Sequence, residues 1–204
     1  MRAEDKNTAE VAKKPMRLYH HGPLGRVLQR FLHERGERQD FDLVALEQLW
    51  LRAAAHDPAI GLHLFSQFSR QDWHVLACLG FYAPNAAEST ACWVRYQRLA
   101  SSLDAVDQVE RDDLLGVSIR VHSSEVLERY LVEHYMTMAV TQLNAAAERQ
   151  LIPARVCLRH PQPAYWAEYQ PLLGEQLEFG AAYNQLWFRR ADLLHPNPGA
   201  NQGM

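Results

Sequence analysis

The sequence predicts an α+β fold, in which a helical N-terminal half packs with a small antiparallel or mixed sheet that a long helix crosses. Segments whose apolar residues recur at helical spacing fill most of the first half of the chain, up to Leu99. Short segments that alternate apolar and polar residues follow in the second half, with two helices among them. Five such strand candidates together with these helices favour the α+β class.

The chain is long enough to form one domain with a sizeable core. It has 204 residues, of which 48% are hydrophobic and 22% charged, and no linker-like segment interrupts it after the N-terminus. The net charge is −3 and there is no basic stripe. Because phosphate contacts require clustered Lys and Arg, these features argue against nucleic-acid binding by this chain alone. We therefore expect an ordinary soluble domain.

Cysteine usage and hydropathy indicate a cytoplasmic protein. Cys78, Cys92 and Cys157 lie singly in apolar runs, without the spacing of a disulfide framework or a metal site. No stretch approaches the ~20 apolar residues that cross a bilayer, and the N-terminus lacks the apolar core of a signal peptide. We expect a reducing compartment and no association with membranes.

The N-terminal half is predicted to be an arm followed by helices. Residues 1–19 are polar and charged without periodicity, which is typical of a flexible arm. Helical spacing then predicts helices at 23–36, 42–55, 59–68 and 86–99. Residues 73–82, WHVLACLGFY, are nearly all apolar, so the pattern fits a buried helix or a buried strand equally well.

A β-hairpin is predicted in the middle of the chain. Residues 103–110 form a weak strand candidate with alternating acids, which suits a sheet edge, and residues 117–121 alternate cleanly between apolar and polar side chains. The residues that supply turn chemistry between them are Asp112, Asp113 and Gly116.

A long helix is predicted after the hairpin. Ser123 or Ser124 caps its start, with Glu125 and Glu128 in the first turn, where the helix dipole favours negative charge. An apolar residue recurs at every fourth position, which suits a helix lying across a sheet. The residues of this stripe are Leu127, Leu131, Tyr135, Ala139, Leu143 and Ala147.

The C-terminal part predicts a strand, a helix and two further strands. Residues 154–160 alternate and stop at prolines, and residues 164–173 have helical spacing that ends at Gly174. Residues 177–179 and 186–188 alternate again. Because turn residues lie between them, we expect these last two strands to pair as a hairpin.

These segments carry a resemblance to a known family, the N-terminal effector domain of AraC-type transcriptional regulators, also called arabinose-binding-like. The motifs in the C-terminal part are RHPQP (159–163), GEQLEF (174–179), NQLWF (184–188) and LLHPNPGAN (193–201). Earlier motifs that fit the same family are DPAIGL (57–62), WVRY (93–96) and RYLVE (129–133). The resemblance covers most of residues 20–201 and rests on many matches in the right order.

The resemblance implies a regulatory role. Residues 20–201 would be a ligand-sensing and dimerisation domain that binds a small-molecule effector and forms a homodimer. In that family a linker then leads to a double helix-turn-helix domain, so DNA would be contacted only through a C-terminal domain that is absent from this chain. No cofactor is expected. The chain stops where the linker would begin, so we expect Met204 to be a point of truncation.

An aromatic and polar cluster is the candidate ligand site, since such sites are mostly apolar with a few placed polar groups. Its members come from the helical half and the long helix: Trp73, His74, Tyr82, Trp93, Arg95, Tyr96, Tyr130, Glu133 and His134. Aromatic residues at helical spacing are equally typical of an ordinary core. An arginine that faces the cavity would suggest a carboxylate ligand. For Arg159, ion pairing with Glu133 or Glu178 is an alternative to recognition.

Metal binding and catalysis are disfavoured. The ten histidines lack the spacing of HExxH or of zinc sites. Cys157 and His160 are three residues apart on a predicted strand, which sends them to opposite faces and prevents a nucleophile–base pair. The chain has no nucleophile elbow and no glycine-rich nucleotide motif. We therefore predict no metal site and no enzymatic activity.

Two alternatives to an effector sensor stay open. A ligand-free dimerisation or protein-interaction module predicts a solvent-excluded aromatic cluster with no cavity. A small enzyme requires convergent titratable groups in a cleft. Relatives of this class are associated with amino acids, other small metabolites and lipids, so the family label does not identify the effector.

Overall fold

The computed structural model describes residues 23–37 and 46–200, without the side chains of Arg70, Val75 and Cys78. The arm predicted at 1–19 and the beginning of the helix predicted at 42–55 lie outside the described residues.

Helices and short 3₁₀ turns make up the described part of the N-terminal half. The helices are α1 (Leu24–His33), α2 (Leu46–His56), α3 (Ile60–His63), α4 (Val75–Phe81) and α5 (Ala86–Tyr96). 3₁₀ turns extend α3 over Leu64–Gln67 and α5 over Gln97–Leu99, and another spans Arg70–Asp72. Helical spacing in the sequence predicted α1, α2, α3 and α5, and the apolar stretch at 73–82, which fitted a helix or a strand, contains the helix α4.

Side-chain caps fix where α4 and α5 begin. The His74 ring Nδ1 accepts a hydrogen bond from the Leu76 backbone N–H at 3.3 Å, and Asn85 Oδ1 accepts one from the Glu88 backbone N–H at 2.9 Å. These side chains satisfy backbone donors that have no partner within the helix. The caps therefore define where α4 and α5 start. The two helices are also in contact with each other.

The strands of the described chain form one mixed sheet. They are β1 (Asp104–Arg111), β2 (Leu114–Val121), β3 (Arg155–Leu158), β4 (Leu177–Phe179) and β5 (Asn184–Arg189). Their spatial order is β1-β2-β5-β3-β4, so β1 lies at an edge, as predicted. β1 pairs antiparallel with β2, which confirms the first predicted hairpin. The α+β class is confirmed.

The turn between β1 and β2 is shorter than predicted. Asp112 adopts a left-handed conformation with φ of 53°, and Asp113 completes the turn. Gly116 lies inside β2 instead of in the turn. A Cβ at this position would lie 2.2 Å from the backbone oxygen of Leu186 in β5. Gly116 therefore permits β2 and β5 to pair closely.

The hairpin predicted between β4 and β5 is wrong, because β3 lies between these two strands. Val156 of β3 is paired in parallel with Leu177 of β4 and antiparallel with Leu186 of β5. The chain after β4 crosses the end of β3, where the Gly180 N–H donates to the His160 carbonyl at 3.0 Å. Alternation fixes which side chains share a face, but it does not fix which strands are neighbours.

The long helix α6 (Glu125–Ala147) lies between the N-terminal helices and the sheet. The Ser124 hydroxyl accepts a hydrogen bond from the Leu127 backbone N–H at 3.2 Å, which confirms the predicted cap. Every residue of the predicted apolar stripe is buried. No helix within 23–37 and 46–200 is both long enough and apolar enough to cross a membrane.

The end of the described chain returns to the helical half. The remaining helical elements are a 3₁₀ turn at Trp166–Tyr169, α7 (Gln170–Leu173) and α8 (Arg190–Leu193). Asn197 Nδ2 donates to the Ala83 carbonyl at 3.0 Å, and the Asn197 backbone N–H donates to the Pro84 carbonyl at 2.8 Å. These bonds fasten the C-terminal segment to the loop between α4 and α5.

Candidate functional site

A cavity of about 130 Å³ lies where α4, α5 and α6 meet. The start of α1 and the first residue of β1 also contribute to its wall. The cavity therefore lies between the helical half and the edge strand of the sheet. Apolar side chains form most of the wall and a few polar groups complete it, a composition typical of small-ligand sites.

Aromatic rings occupy two sides of the cavity. Trp73 and Phe81 stack with their ring centroids 5.1 Å apart, and Trp93 of α5 also lines the wall. On the other side, the Phe65 and Phe68 rings pack against the His134 ring of α6. These surfaces suit a flat apolar group, because ring faces and edges offer large contact areas.

Three polar side chains meet at the end of the cavity that β1 forms. Asp104, Ser101 and Tyr135 all line the wall and are buried. Burial raises the pKa of the Asp104 carboxyl, and interactions with the Ser101 and Tyr135 hydroxyls oppose this rise. Asp104 Oδ1 and the Tyr135 hydroxyl nevertheless make no hydrogen bond of normal geometry to any described residue. The carboxyl group and the two hydroxyls therefore interact with one another without good hydrogen-bond geometry, which leaves capacity for a polar group in the cavity.

The second acid of the wall, Asp72, is already neutralised. Its carboxylate accepts a hydrogen bond from Arg30 Nη2 at 2.8 Å, and the Ser69 hydroxyl donates to it at 2.7 Å. The Arg30 guanidinium holds the pKa of Asp72 well below its usual value. Asp72 therefore ties α1 to the segment before α4 and is not available as a counter-ion for a ligand.

Gln97 forms part of the wall but is engaged in the fold. Its Nε2 donates to the Val106 carbonyl at 2.7 Å, and its Oε1 accepts from the Val106 backbone N–H at 2.7 Å. Both polar atoms of the side chain are thus used to join the end of α5 to β1. Gln97 fixes the position of β1, and with it that of Asp104, relative to the helices.

The structure brings together four of the predicted site residues. Trp73, His74, Trp93 and His134 line the cavity. Their role as ligand contacts stays a prediction.

Three other candidates lie on the surface, away from the described cavity wall. Tyr82 is 67% exposed, Tyr96 is 37% exposed and the Arg95 side chain is exposed. The helical phase of α5 explains two of these positions: Thr90 and Trp93 face inward, so Arg95 and Tyr96 face outward. No Lys or Arg is found among the lining residues that the structure describes.

Glu133 forms a separate buried cluster. It is fully buried on α6, and its Oε1 accepts hydrogen bonds from the Tyr165 hydroxyl at 2.9 Å and from the Tyr169 hydroxyl. Burial raises the pKa of Glu133 to about 7, although both tyrosine hydrogen bonds act in the opposite direction. The second oxygen, Oε2, has no hydrogen-bond partner in the described part of the chain.

Close packing on α3 keeps Glu133 in place. A Cβ at Gly61 would lie 2.1 Å from Glu133 Oε2, so only glycine lets α3 approach this carboxyl group. The cluster therefore joins α3, α6 and the 3₁₀ turn before α7. Its lack of exposure favours a structural role, because a reactant would have no access to the carboxyl group.

Tyr130 packs in the core. Its ring stacks on Trp50 with the ring centroids 5.6 Å apart, and the Arg129 guanidinium lies 4.5 Å from the centre of the same ring. Tyr130 is 4% exposed. It links α2 to α6 and is not among the described residues that line the cavity.

The ion pairs suggested for Arg159 are not formed. Arg159 Nη1 pairs with Glu128 of α6 at 2.7 Å, whereas Glu178 pairs with Arg155. Arg155 lies within β3 beside β4, which carries Glu178, whereas Arg159 follows the end of β3 and contacts α6, which carries Glu128. Cys157 Sγ is directed at Glu178, while the His160 ring packs beside Tyr169, so the two side chains have different surroundings.

Among the described residues, no group of three or more His, Cys, Asp or Glu side chains is arranged to hold a metal ion. Several histidines instead interact with one or two carboxylates. His63 is an example, with its two ring nitrogens 2.9 Å from Asp57 and 2.9 Å from Glu168.

Sequence reasoning missed the polar end of the cavity. Ser101, Asp104 and Tyr135 were not among the candidates. A signal was present, because Asp104 and Val106 share the inward face of a predicted edge strand and an inward acid requires an explanation. The sequence placed Tyr135 in the apolar stripe of the long helix. Tyr135 is indeed buried in that stripe, and it also lines the cavity because the stripe borders it.

Comparisons with known proteins identify the family. The chain matches the model for the N-terminal arabinose-binding domain of AraC transcription regulators over residues 34–197. The fold is similar to the crystal structure of the transcriptional regulator CdpR from Pseudomonas aeruginosa, with a TM-score of 0.58 and 14% sequence identity. The alignment covers 90% of this chain but 60% of that chain, and at this identity the similarity shows the fold alone.

No curated protein matches the sequence of this chain. The family model nevertheless spans most of the chain, including α4, α5, α6 and all strands of the described sheet. The chain therefore belongs to the family of N-terminal arabinose-binding domains of AraC transcription regulators.

Proposed function

We propose that this chain is an effector-sensing domain that binds a small molecule in the cavity between α4, α5 and α6 and thereby controls an attached DNA-binding domain. The observation that carries the proposal is the cavity itself, with its apolar wall and the polar end at Asp104. Family membership supports the regulatory part of the proposal.

The volume of the cavity limits the size of the effector. A cavity of ~150 Å³ in another protein accommodates benzene, so about 130 Å³ suits a compound built on a single six-membered ring. A pentose also forms a single ring but carries several hydroxyl groups. Because the wall is mostly apolar, most of those hydroxyls would be buried without partners, which is costly.

A route from the cavity to the C-terminus supports control of an attached domain. The loop between α4 and α5 follows two cavity-lining residues, Gly80 and Phe81. Asn197 is hydrogen-bonded to Ala83 and Pro84 in that loop, and Asn85 pairs with Pro196. An effector that binds one arrangement of α4 and α5 more tightly than another would shift the position of the C-terminal segment.

The alternative of a ligand-free dimerisation or interaction module predicts an aromatic cluster without a cavity. The open volume beside Trp73, Phe81 and Trp93 favours the sensor. A homodimer stays a prediction, and light scattering on the purified chain tests it. The two functions are compatible, since a sensing domain of a dimeric regulator would serve both.

The first test is to fill the cavity. Ala77 lines it from α4, so Ala77→Phe should place a ring where the effector would lie. Leu79→Phe is the matched control, because Leu79 lies on the same helix and is 44% exposed. A panel of small amines, alcohols and acids is screened by thermal shift, where a ligand at 100 times its Kd adds ~2.7 kcal/mol of stability.

We expect at least one compound to raise the melting temperature of the wild type and of Leu79→Phe. The same compound should leave Ala77→Phe unshifted. An equal shift in all three proteins would place the binding site elsewhere. No shift with any compound of suitable size would remove the support for a sensor and favour the interaction module.

A further inference from the structure

We propose that the cavity selects a small amine with an apolar body, with Asp104 as the group that accepts its N–H. The inference rests on the proposed function and names the chemical class of the effector. Its basis is the charge of the wall, the hydrogen-bonding state of the polar end and the aromatic surfaces that surround the remaining volume.

The charges of the wall favour a cation over an anion. The charged residues among the described lining are Asp72 and Asp104, and neither Lys nor Arg is found there. Arg30 neutralises Asp72 through a hydrogen bond at 2.8 Å. Asp104 is thus the acid that remains for a ligand, and a carboxylate placed beside it would be repelled.

Asp104 is also a buried acceptor whose hydrogen bonding is incomplete. Asp104 is 9% exposed and its Oδ1 makes no hydrogen bond of normal geometry within the described ranges, although the Ser101 and Tyr135 hydroxyls interact with the carboxyl group. Buried polar atoms are rarely left in this condition, because each loses its hydrogen bonds to water. An ammonium group carries three donors and can satisfy the carboxylate while a neutral alcohol carries one.

The histidines of the wall do not reverse this preference. His74 Nδ1 accepts a hydrogen bond from the Leu76 backbone N–H, which requires a ring without a proton on that nitrogen. This nitrogen therefore does not donate a hydrogen bond to a carboxylate in the cavity. His134 lies among the rings of Trp50, Phe65 and Phe68, whose faces are compatible with a cation nearby but provide no charge for a carboxylate.

The body of the ligand would lie against aromatic surfaces. The stacked rings of Trp73 and Phe81, together with Trp93, line the part of the cavity formed by α4 and α5. An aromatic or cycloalkyl group buries its apolar surface there. The combination of one acidic acceptor and an aromatic wall fits an arylalkylamine better than an amino acid, since an amino acid also carries a carboxylate.

The test compares three probes of nearly equal size that differ in charge: benzylamine, benzyl alcohol and benzoate. Calorimetry with the wild-type chain should show benzylamine binding ~10 to 100 times more tightly than either of the others, as expected for a charge-assisted hydrogen bond. This comparison requires no variant. If benzyl alcohol or benzoate binds as tightly as benzylamine, the proposal is overturned.

Asp104→Asn tests the residue, and Asp107→Asn is its matched control. Asp107 lies on the same strand but is exposed and pairs with Arg120. We expect Asp104→Asn to reduce the preference for benzylamine over benzyl alcohol to within about threefold, while Asp107→Asn keeps it. A preference that survives in Asp104→Asn would assign selectivity to another group and overturn the proposal.

The failure of this inference is distinguishable from the failure of the proposed function. If the three probes do not bind but another class of compound does, and Ala77→Phe abolishes its binding, the amine is wrong and the sensor stands. If no compound binds the wild type, both are wrong.

Discussion

Replacement of Glu133 by Gln should remove a pH dependence of stability that burial creates on α6. Burial raises the pKa of Glu133 from the ordinary value of 4.5 to about 7. Between these values the folded chain retains a proton that the unfolded chain has released. The stabilisation is fully present below about pH 4.5 and is lost as the pH rises to about 7. Folding of the wild type should therefore weaken as the solution becomes neutral.

The magnitude follows from the pKa of Glu133. A rise from 4.5 to about 7 corresponds to ~3 kcal/mol of unfolding free energy, since a difference of one in pKa is worth ~1.4 kcal/mol. Nearby groups do not mask the effect. Burial lowers the pKa of His160, whose Nε2 is 3.8 Å from Glu133 Oε1, so its stabilisation is lost as the pH falls below its ordinary value of 6.5. Because His160 is present in both proteins, the difference between wild type and variant isolates Glu133.

The assay is urea unfolding of the wild type and Glu133→Gln from about pH 5 to about pH 8. Between about pH 5 and about pH 8, the unfolding free energy of the variant minus that of the wild type should increase by ~2.5 kcal/mol, most of the full effect. Glu125→Gln, at an exposed position on the same helix, is the control. Its unfolding free energy should change with pH as that of the wild type does. If the unfolding free energy of Glu133→Gln has the same pH dependence as that of the wild type, the reasoning is refuted. That result would mean that Glu133 does not retain a proton on folding.

Two further predictions concern packing around the two clusters. Gly61→Ala should destabilise the chain by ~1 to 3 kcal/mol because its Cβ would lie 2.1 Å from Glu133 Oε2, whereas Gly199→Ala, with open space around it, is the control for thermal melting. Equal melting temperatures for both variants would contradict the close packing. Gln97→Leu should cost ~2 kcal/mol or more in urea unfolding, since both polar groups of Val106 lose their buried partner. A smaller loss would mean that β1 is held to α5 by apolar packing alone.

Local features of the fold could be predicted from the sequence because neighbouring residues decide them. Ser124 has a hydroxyl in the position of a cap, and the stripe from Leu127 to Ala147 determines which face of α6 is buried. The pairing of β3 with both β4 and β5 could not be predicted. Alternation assigns faces within a strand, and only the course of the chain in three dimensions decides which strand lies beside which.

The candidate site was predictable to the extent that helical phase determines it. Trp93 and His134 lie on inward faces of α5 and α6, whereas Arg95 lies two positions after Trp93 and points outward. Asp104 was not predicted because an acid at the start of a strand usually meets solvent. That it is buried beside a cavity depends on Gln97, which holds β1 against the end of α5 through Val106.

The most direct test of the central claim is a calorimetric titration of benzylamine into the wild-type chain and into Ala77→Phe, with Leu79→Phe as the control. The account predicts one binding site in the wild type and in Leu79→Phe and loss of binding in Ala77→Phe, whose added ring would occupy the cavity beside Trp73 and Trp93. Binding that is equally strong in Ala77→Phe would contradict the account, because the ligand would then lie outside this cavity.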